Sequence, residues 1–359
     1  MIIKFDNSLS YQQEAIESVV NVFKGQEICN SNFTVYSPEF LAKNSLFSNQ
    51  ESTNLLGYAN KLQLNEGQIL ENIQHIQLRN GLKPSIQGEI DRNLLDLSIE
   101  METGTGKTYV YLKTIMEMHR QYGFNKFIIV VPTIPIKEGV YKSLQITEDH
   151  LKEHFANVNY KYFVYDSSRL NEIRDFATSD QLQIMVINIQ AFAKDVDDDA
   201  SNTNRILLNY NDKLGYKPIS LIQDTRPIVI VDEPQRVLNT PLGKKSVNNL
   251  KPLAIVRYSA THKEKVNLLY KLDAVDAYNK QLVKQIEVAS VKIEGAASSG
   301  TYLKLISVSN KSGFKAKLEI DIKNNKGIVQ RQVKEIKPGQ DLLQITKLDQ
   351  YNGYFLRNS

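Results

Sequence analysis

The spacing of apolar residues changes along the chain, and each change predicts a different kind of element. Ala15, Ile16, Val19, Val20 and Phe23 recur at helical intervals, predicting a helix over residues 11–23 with Ser10 placed to cap it. Residues 30–93 are polar and rich in Asn, Gln and Ser, with weak helical patterning around 69–78, and read as an irregular insertion carrying short helices. From residue 94 onward, short apolar runs at 95–101, 126–131, 160–165, 183–189, 227–231 and 253–258 alternate with amphipathic stretches, notably 108–122, 137–155 and 168–177. Near-continuous apolar strands separated by helices predict a parallel sheet covered on both faces. The polar stretch 195–218 interrupts this rhythm as a loop insertion.

Beyond Glu287 the period changes again. Strand-like runs at 303–308, 316–322 and 328–333 are separated by Asn310-Lys311-Ser312-Gly313 and Asn324-Asn325-Lys326-Gly327. These are hairpin-type turns, with Gly where a positive φ is needed, so a small antiparallel β module is expected.

Composition narrows the class. The 359 residues hold 44 Lys plus Arg against 40 Asp plus Glu, a net +4, with 42% hydrophobic and 23% charged residues. That describes a globular chain of one large domain plus a smaller one, and excludes collagen, coiled coil and wholesale disorder. The single cysteine, Cys29, excludes a disulfide framework and a cysteine-based zinc site. The longest apolar run, 127–131, is far short of a membrane span, and residues 1–6 lack the pattern of a signal peptide. A cytoplasmic location without membrane contact is expected. Residues 291–359 contain twelve Lys/Arg and six Asp/Glu, a net +6, so the basic excess is local to the β module.

The chemistry concentrates where strands end. Met101-Glu102-Thr103-Gly104-Thr105-Gly106-Lys107-Thr108 follows an apolar strand and opens an amphipathic helix, the setting of a phosphate-binding loop. Glycines let the backbone wrap so that successive N–H groups and the positive helix end face phosphates. Lys107 is expected to reach the β- and γ-phosphates and the Thr108 hydroxyl to coordinate Mg²⁺. Met101 stands where such loops usually begin with Gly.

A second apolar strand ends in Asp232-Glu233-Pro234-Gln235. Asp232 is expected to hold the Mg²⁺ hydration shell, and Glu233 to orient or deprotonate the attacking water. An adjacent Glu favours hydrolysis over phosphoryl transfer, which must exclude an activated water. A third strand closes with Tyr258-Ser259-Ala260-Thr261-His262, whose small hydroxyl residues can hydrogen-bond the neighbouring carboxylates and pass on the state of the phosphate.

In this order the three segments resemble motifs I, II and III of superfamily-2 helicases. Their wording resembles the Res (restriction and translocation) subunit of type III restriction-modification enzymes across roughly residues 5–290. The stretches Val130-Val131-Pro132-Thr133, Ile187-Asn188-Ile189-Gln190 and Lys271-Leu272-Asp273-Ala274-Val275-Asp276-Ala277-Tyr278 fit as well. The resemblance implies a RecA-like P-loop sheet binding ATP with Mg²⁺, on the loop residues Thr103, Gly104, Thr105, Gly106, Lys107 and Thr108. Tyr11 and Gln12 resemble the Q motif, whose Gln reads adenine. The resemblance further implies backbone contacts to double-stranded DNA at Pro132, Thr133 and Gln190, coupling through Ser259, Ala260 and Thr261, and a methyltransferase (modification) subunit as partner.

The expected organisation is an N-terminal helix with the Q-like motif (1–29), the polar insertion (30–93), a first RecA-like ATPase domain (94–290) and the basic β module (291–359). None of the eleven Arg residues sits in a motif VI context, so the chain is expected to be the first part of a longer motor or a truncated gene product, with feeble turnover by itself. Other readings are a nucleotide-gated DNA- or protein-binding module with little catalysis, and another superfamily-2 helicase or type I restriction translocase. Two decoys are set aside. His150-Leu151-Lys152-Glu153-His154 matches an inverted zinc-protease pattern but suits a charged helix end. Asp321-Ile322-Lys323 imitates a nuclease core but belongs to an alternating half-buried strand.

Overall fold

The computed structural model describes residues 6, 8–35, 55–86, 94–195, 206–211, 216–262, 264–283, 301–309 and 313–356. The chain forms two compact units, residues 1–285 and 286–359.

The first unit is built on a seven-stranded sheet. Helix α1 (Ser10–Val20) and a short antiparallel pair, β1 (Asn30–Val35) and β2 (Leu55–Asn60), precede helix α2 (Glu66–Arg79). Then come β3 (Leu95–Met101), α3 (Lys107–Tyr122), β4 (Lys126–Val131), α4 (Ile134–His154), β5 (Tyr160–Val164), α5 (Leu170–Thr178), β6 (Leu182–Asn188) and α6 (Ile189–Asp195). They are followed by α7 (Pro218–Asp224), β7 (Ile228–Asp232), α8 (Pro234–Val237), α9 (Pro241–Asn248), β8 (Ala254–Ser259), β9 (Leu268–Leu272) and α10 (Ala274–Asn279). The strand order is β5-β6-β4-β7-β8-β3-β9 and every pair is parallel. The expected α/β, RecA-like sheet is present.

Residues of β4, β6 and β7 are buried throughout, because helices cover both sides. Leu95, Leu97, Ile99 and Met101 face a core shared with α1, α2 and α3, whereas Ile128, Val130, Val229, Val231 and Ile255 face a second core under α5, α6, α7 and α9. Apolar positions on alternate sides of one strand therefore serve two layers.

Ser10 does not cap α1. Leu9 occupies the cap position without a side-chain bond, and its carbonyl accepts from the N–H groups of Gln12 and Gln13 at 3.0 and 3.1 Å. The helix thus starts one residue earlier than expected, with Ser10 inside its first turn. The segment 30–93 contributes α2, closed by a capping box between Asn65 and Gln68, and also the β1–β2 pair. Asn60 ties that pair to the sheet: its Nδ2 donates to the Lys126 carbonyl at 2.8 Å, and its Oδ1 accepts from the N–H groups of Asn125 and Lys126. Most of the polar insertion at 195–218 lies outside the described residues, as do Asn310, Lys311 and Ser312 of the first expected turn.

The second unit holds β10 (Leu303–Ser309), β11 (Lys315–Lys323) and β12 (Val329–Ile336) in antiparallel order, followed by α11 (Leu342–Thr346). Ala316, Leu318, Ile320, Ile336, Leu342 and Tyr351 form its core. Gly327 takes the expected positive φ of 81° in the β11–β12 turn. Asp321, the acidic member of the nuclease-like triplet, is ion-paired to Arg331 across the strands.

Candidate functional site

The site lies where parallel strands end and helices begin. Between β3 and α3 the chain turns through Glu102–Gly106, with Gly104 and Gly106 at φ of 85° and 88°. These values are the left-handed region that a Cβ disfavours. Gly106 has a second constraint, because a Cβ there would stand 2.6 Å from the Gln12 amide nitrogen. The loop is self-bonded: Thr105 Oγ1 donates to the Glu102 carbonyl at 2.6 Å, and the Glu102 carboxylate accepts from the Thr103 N–H at 2.7 Å. The Glu102 N–H in turn donates to the Leu272 carbonyl of β9 at 2.9 Å.

Gln12 is buried against this loop and donates from Nε2 to the Thr105 carbonyl at 3.1 Å; Tyr11 lies beside it. The Q-like pair and the glycine loop, 93 residues apart in sequence, are thus one assembly. Met101, at the position where such loops usually begin with Gly, is wholly buried in the core, and its carbonyl accepts from Lys107 Nζ at 3.2 Å.

The acidic pair arrives from β7, separated from β3 by β8. Asp232 is buried, and burial together with the neighbouring Glu233 pushes its carboxyl up to about 6, while Lys107 pulls the other way. Glu233 sits at φ 53°, an unusual backbone for a non-glycine residue, and its carboxylate lies 3.9 Å from Lys107 Nζ. Gln235 Nε2 donates to the Glu233 carboxylate, and the Ser259 hydroxyl lies 2.9 Å from Gln235 Oε1 and accepts from the Thr261 N–H at 3.1 Å. The hydroxyl side chains of the third motif therefore reach the acidic pair through Gln235, while the Glu233 N–H donates directly to the Tyr258 carbonyl at 3.0 Å. Ala260 contributes only backbone to this turn.

Pro132 and Thr133 follow β4, and Gln190 opens α6 after the adjacent strand β6. Pro132 is buried, Thr133 is half-buried and Gln190 is exposed, so these positions share one rim of the sheet, beyond the acidic pair. His150 is hydrogen-bonded to the Tyr109 hydroxyl at 2.9 Å, and the described residues contain no group of three His, Cys, Asp or Glu arranged for a metal.

Two residues without an expected role also meet here. Gln235 links two motifs from a position only two residues beyond Glu233. Tyr111 is fully buried, its hydroxyl facing Asp232 and Thr108 without a hydrogen bond of standard geometry. Its spacing of three from Thr108 on α3 puts both on one helix face, a signal visible in the sequence.

The residues present fit a magnesium nucleotide. Two left-handed glycines wrap the loop at the start of α3, and a hydroxyl, a carboxylate and an ammonium converge on its mouth. The fold and this assembly define a P-loop nucleotide-binding domain of the RecA-like class.

Residues 7–264 match the family model described as "Type III restriction enzyme, res subunit", and the chain belongs to that family. It is 33% identical over 303 residues to the type III restriction-modification enzyme EcoP15I Res subunit of Escherichia coli, covering 78% of this chain and 28% of that one. It is 31% identical over 303 residues to the EcoPI Res subunit of Escherichia phage P1, covering 79% and 28%. The chain thus spans 28% of the length of these relatives. Among solved structures, a Sulfolobus solfataricus SWI2/SNF2 ATPase core in complex with dsDNA matches at a TM-score of 0.31 and 16% identity, covering 62% of this chain and 36% of that one. Among the described residues no helix is long and apolar enough to cross a membrane.

Proposed function

We propose that this chain is the ATP-binding and ATP-hydrolysing part of a DNA-translocating motor belonging to a restriction enzyme complex. The observation that carries the reading is the meeting of Lys107 and Glu233 at 3.9 Å over a left-handed glycine loop, with Asp232 buried beneath them. Loop N–H groups and Lys107 take the phosphates. Thr108 and Asp232 hold Mg²⁺, which when bound offsets phosphate charge and orients the terminal group. Once Lys107 turns to phosphate, Glu233 is released to position water and take its proton. The Gln12 amide oxygen accepts from the adenine amino group while Nε2 stays on the loop. Gln235 and Ser259 carry the state of Glu233 to the turn at Thr261.

Duplex DNA is the proposed track, lying along the rim at Thr133 and Gln190, and a modification methyltransferase is the proposed partner. Charge developing on the transferred phosphoryl group calls for an arginine, worth roughly 10³- to 10⁵-fold in related systems. Arg257, on the strand beside the acidic pair, is committed to Asp96 through both its Nε and a terminal nitrogen. We therefore propose that this chain binds ATP and turns it over feebly until a further domain supplies the arginine. The test is ATP binding and hydrolysis by the wild type and Glu233→Gln, with and without double-stranded DNA. Mg-ATP binding with little turnover supports the proposal, whereas an inability to bind nucleotide overturns it.

A further inference from the structure

Two fully buried tyrosines stand with rings 5.5 Å apart behind the acidic pair, and their hydroxyls are treated differently. Tyr258 OH shares a hydrogen bond of 3.2 Å with Thr114 Oγ1 on α3. Tyr111 OH has no partner of standard geometry, although it faces the Asp232 carboxylate and the Thr108 hydroxyl. Burying an unpaired hydroxyl disfavours the fold, and Phe would fill the same space without that cost. The position therefore spends stability on a donor aimed at the two groups that the preceding reading assigns to Mg²⁺.

We propose that Tyr111 is a positioning residue for magnesium-nucleotide binding, its hydroxyl donating to the Asp232 carboxylate once the magnesium nucleotide is bound and fixing the direction in which that carboxylate and Thr108 face the cation. This rests on the nucleotide-site reading and deepens it. Asp232 comes from the end of β7 and Thr108 from the start of α3, and the Tyr111 hydroxyl faces both, with the Glu233 N–H also at the Asp232 carboxylate. A donor to a carboxylate oxygen leaves the other oxygen to the cation's shell, as the orienting partners of metal ligands do elsewhere.

The test compares the full chain with Tyr111→Phe and Tyr258→Phe. Affinity for a non-hydrolysable ATP analogue is measured by calorimetry in excess Mg²⁺ and in EDTA, and thermal melting is recorded without nucleotide. Tyr111→Phe is expected to bind the metal-free analogue like the wild type, to lose about tenfold of the affinity gained on adding Mg²⁺, and to melt no lower than the wild type. Tyr258→Phe, which removes a satisfied bond, is expected to melt lower and keep the full Mg²⁺ gain. The proposal is overturned if Tyr111→Phe keeps the full gain, or if its affinity falls equally with and without Mg²⁺ alongside a lower melting temperature. A wild type that binds the analogue under neither condition would instead overturn the nucleotide site itself.

Discussion

Lys107 and Glu233 pair at 3.9 Å from opposite sides of a strand that separates them in the sheet. Under the proposed nucleotide reading, an incoming phosphate would compete with Glu233 for one ammonium, making phosphate capture and release of the carboxylate the same event. Glu233→Gln is expected to bind ATP as well as or a few-fold better than the wild type. Its turnover should fall by about a hundredfold or more, as for loss of a general base. Single-turnover hydrolysis beside equilibrium binding checks both halves; equal losses in binding and rate would contradict the competition.

Gln235 bridges Glu233 and Ser259 with its two amide atoms. Gln235→Ala should leave nucleotide affinity within about twofold of the wild type and slow turnover by about tenfold, since one charge-assisted bond is worth roughly 1.5–3 kcal/mol. Ser259→Ala should do the same more weakly, and the double variant should be no worse than Gln235→Ala alone, because both act through one chain of bonds. Additive losses would break the relay.

Asp96 on β3 and Arg257 on β8 form a two-pronged ion pair with side chains 15% and 11% exposed. Burial outweighs the arginine and holds the Asp96 carboxyl above its usual range. Arg257→Met leaves that carboxylate buried and uncompensated, at a cost of about 3–5 kcal/mol. Asp96→Leu combined with Arg257→Met should recover most of the loss. Urea unfolding of the three variants provides the comparison.

Lys126 is fully buried at the start of β4, donating to the Phe176 carbonyl at 2.6 Å and to the Ser179 carbonyl. Burial brings it down from 10.5 to about 7, and its neutral amine still has two N–H groups for two carbonyls. With the folded value below the unfolded one, the unfolded chain binds the extra proton between them. This contribution to stability therefore falls as the pH drops from 10.5 through about 7. Between pH 7 and about 9 the wild type should gain stability with rising pH, and Lys126→Met should flatten that slope. Denaturation midpoints across this window decide it.

The apolar runs announced β3 to β8 because strands buried on both faces need unbroken hydrophobic stretches. They did not announce β9, whose five residues form an edge with Lys271 in solvent, so its pattern is short and mixed. Nor did they announce β1 and β2, where the attachment depends on the amide of Asn60, a residue indistinguishable from its polar neighbours. The glycine loop was legible because strand, Gly-Lys-Thr and helix are contiguous. The Gln235 bridge was not, since its two ends come from different strands and only the fold brings them together.

The position of β9 has a practical consequence. The family match stops at residue 264, yet β3 pairs with β9 along its outer edge and the phosphate loop's first N–H is bonded to Leu272. A protein shortened to that boundary would turn the strand carrying the loop into a bare edge, with unpaired backbone groups ready to join another chain. Expression designs for this domain should therefore keep the chain through α10, or they will select for aggregates rather than for a nucleotide site.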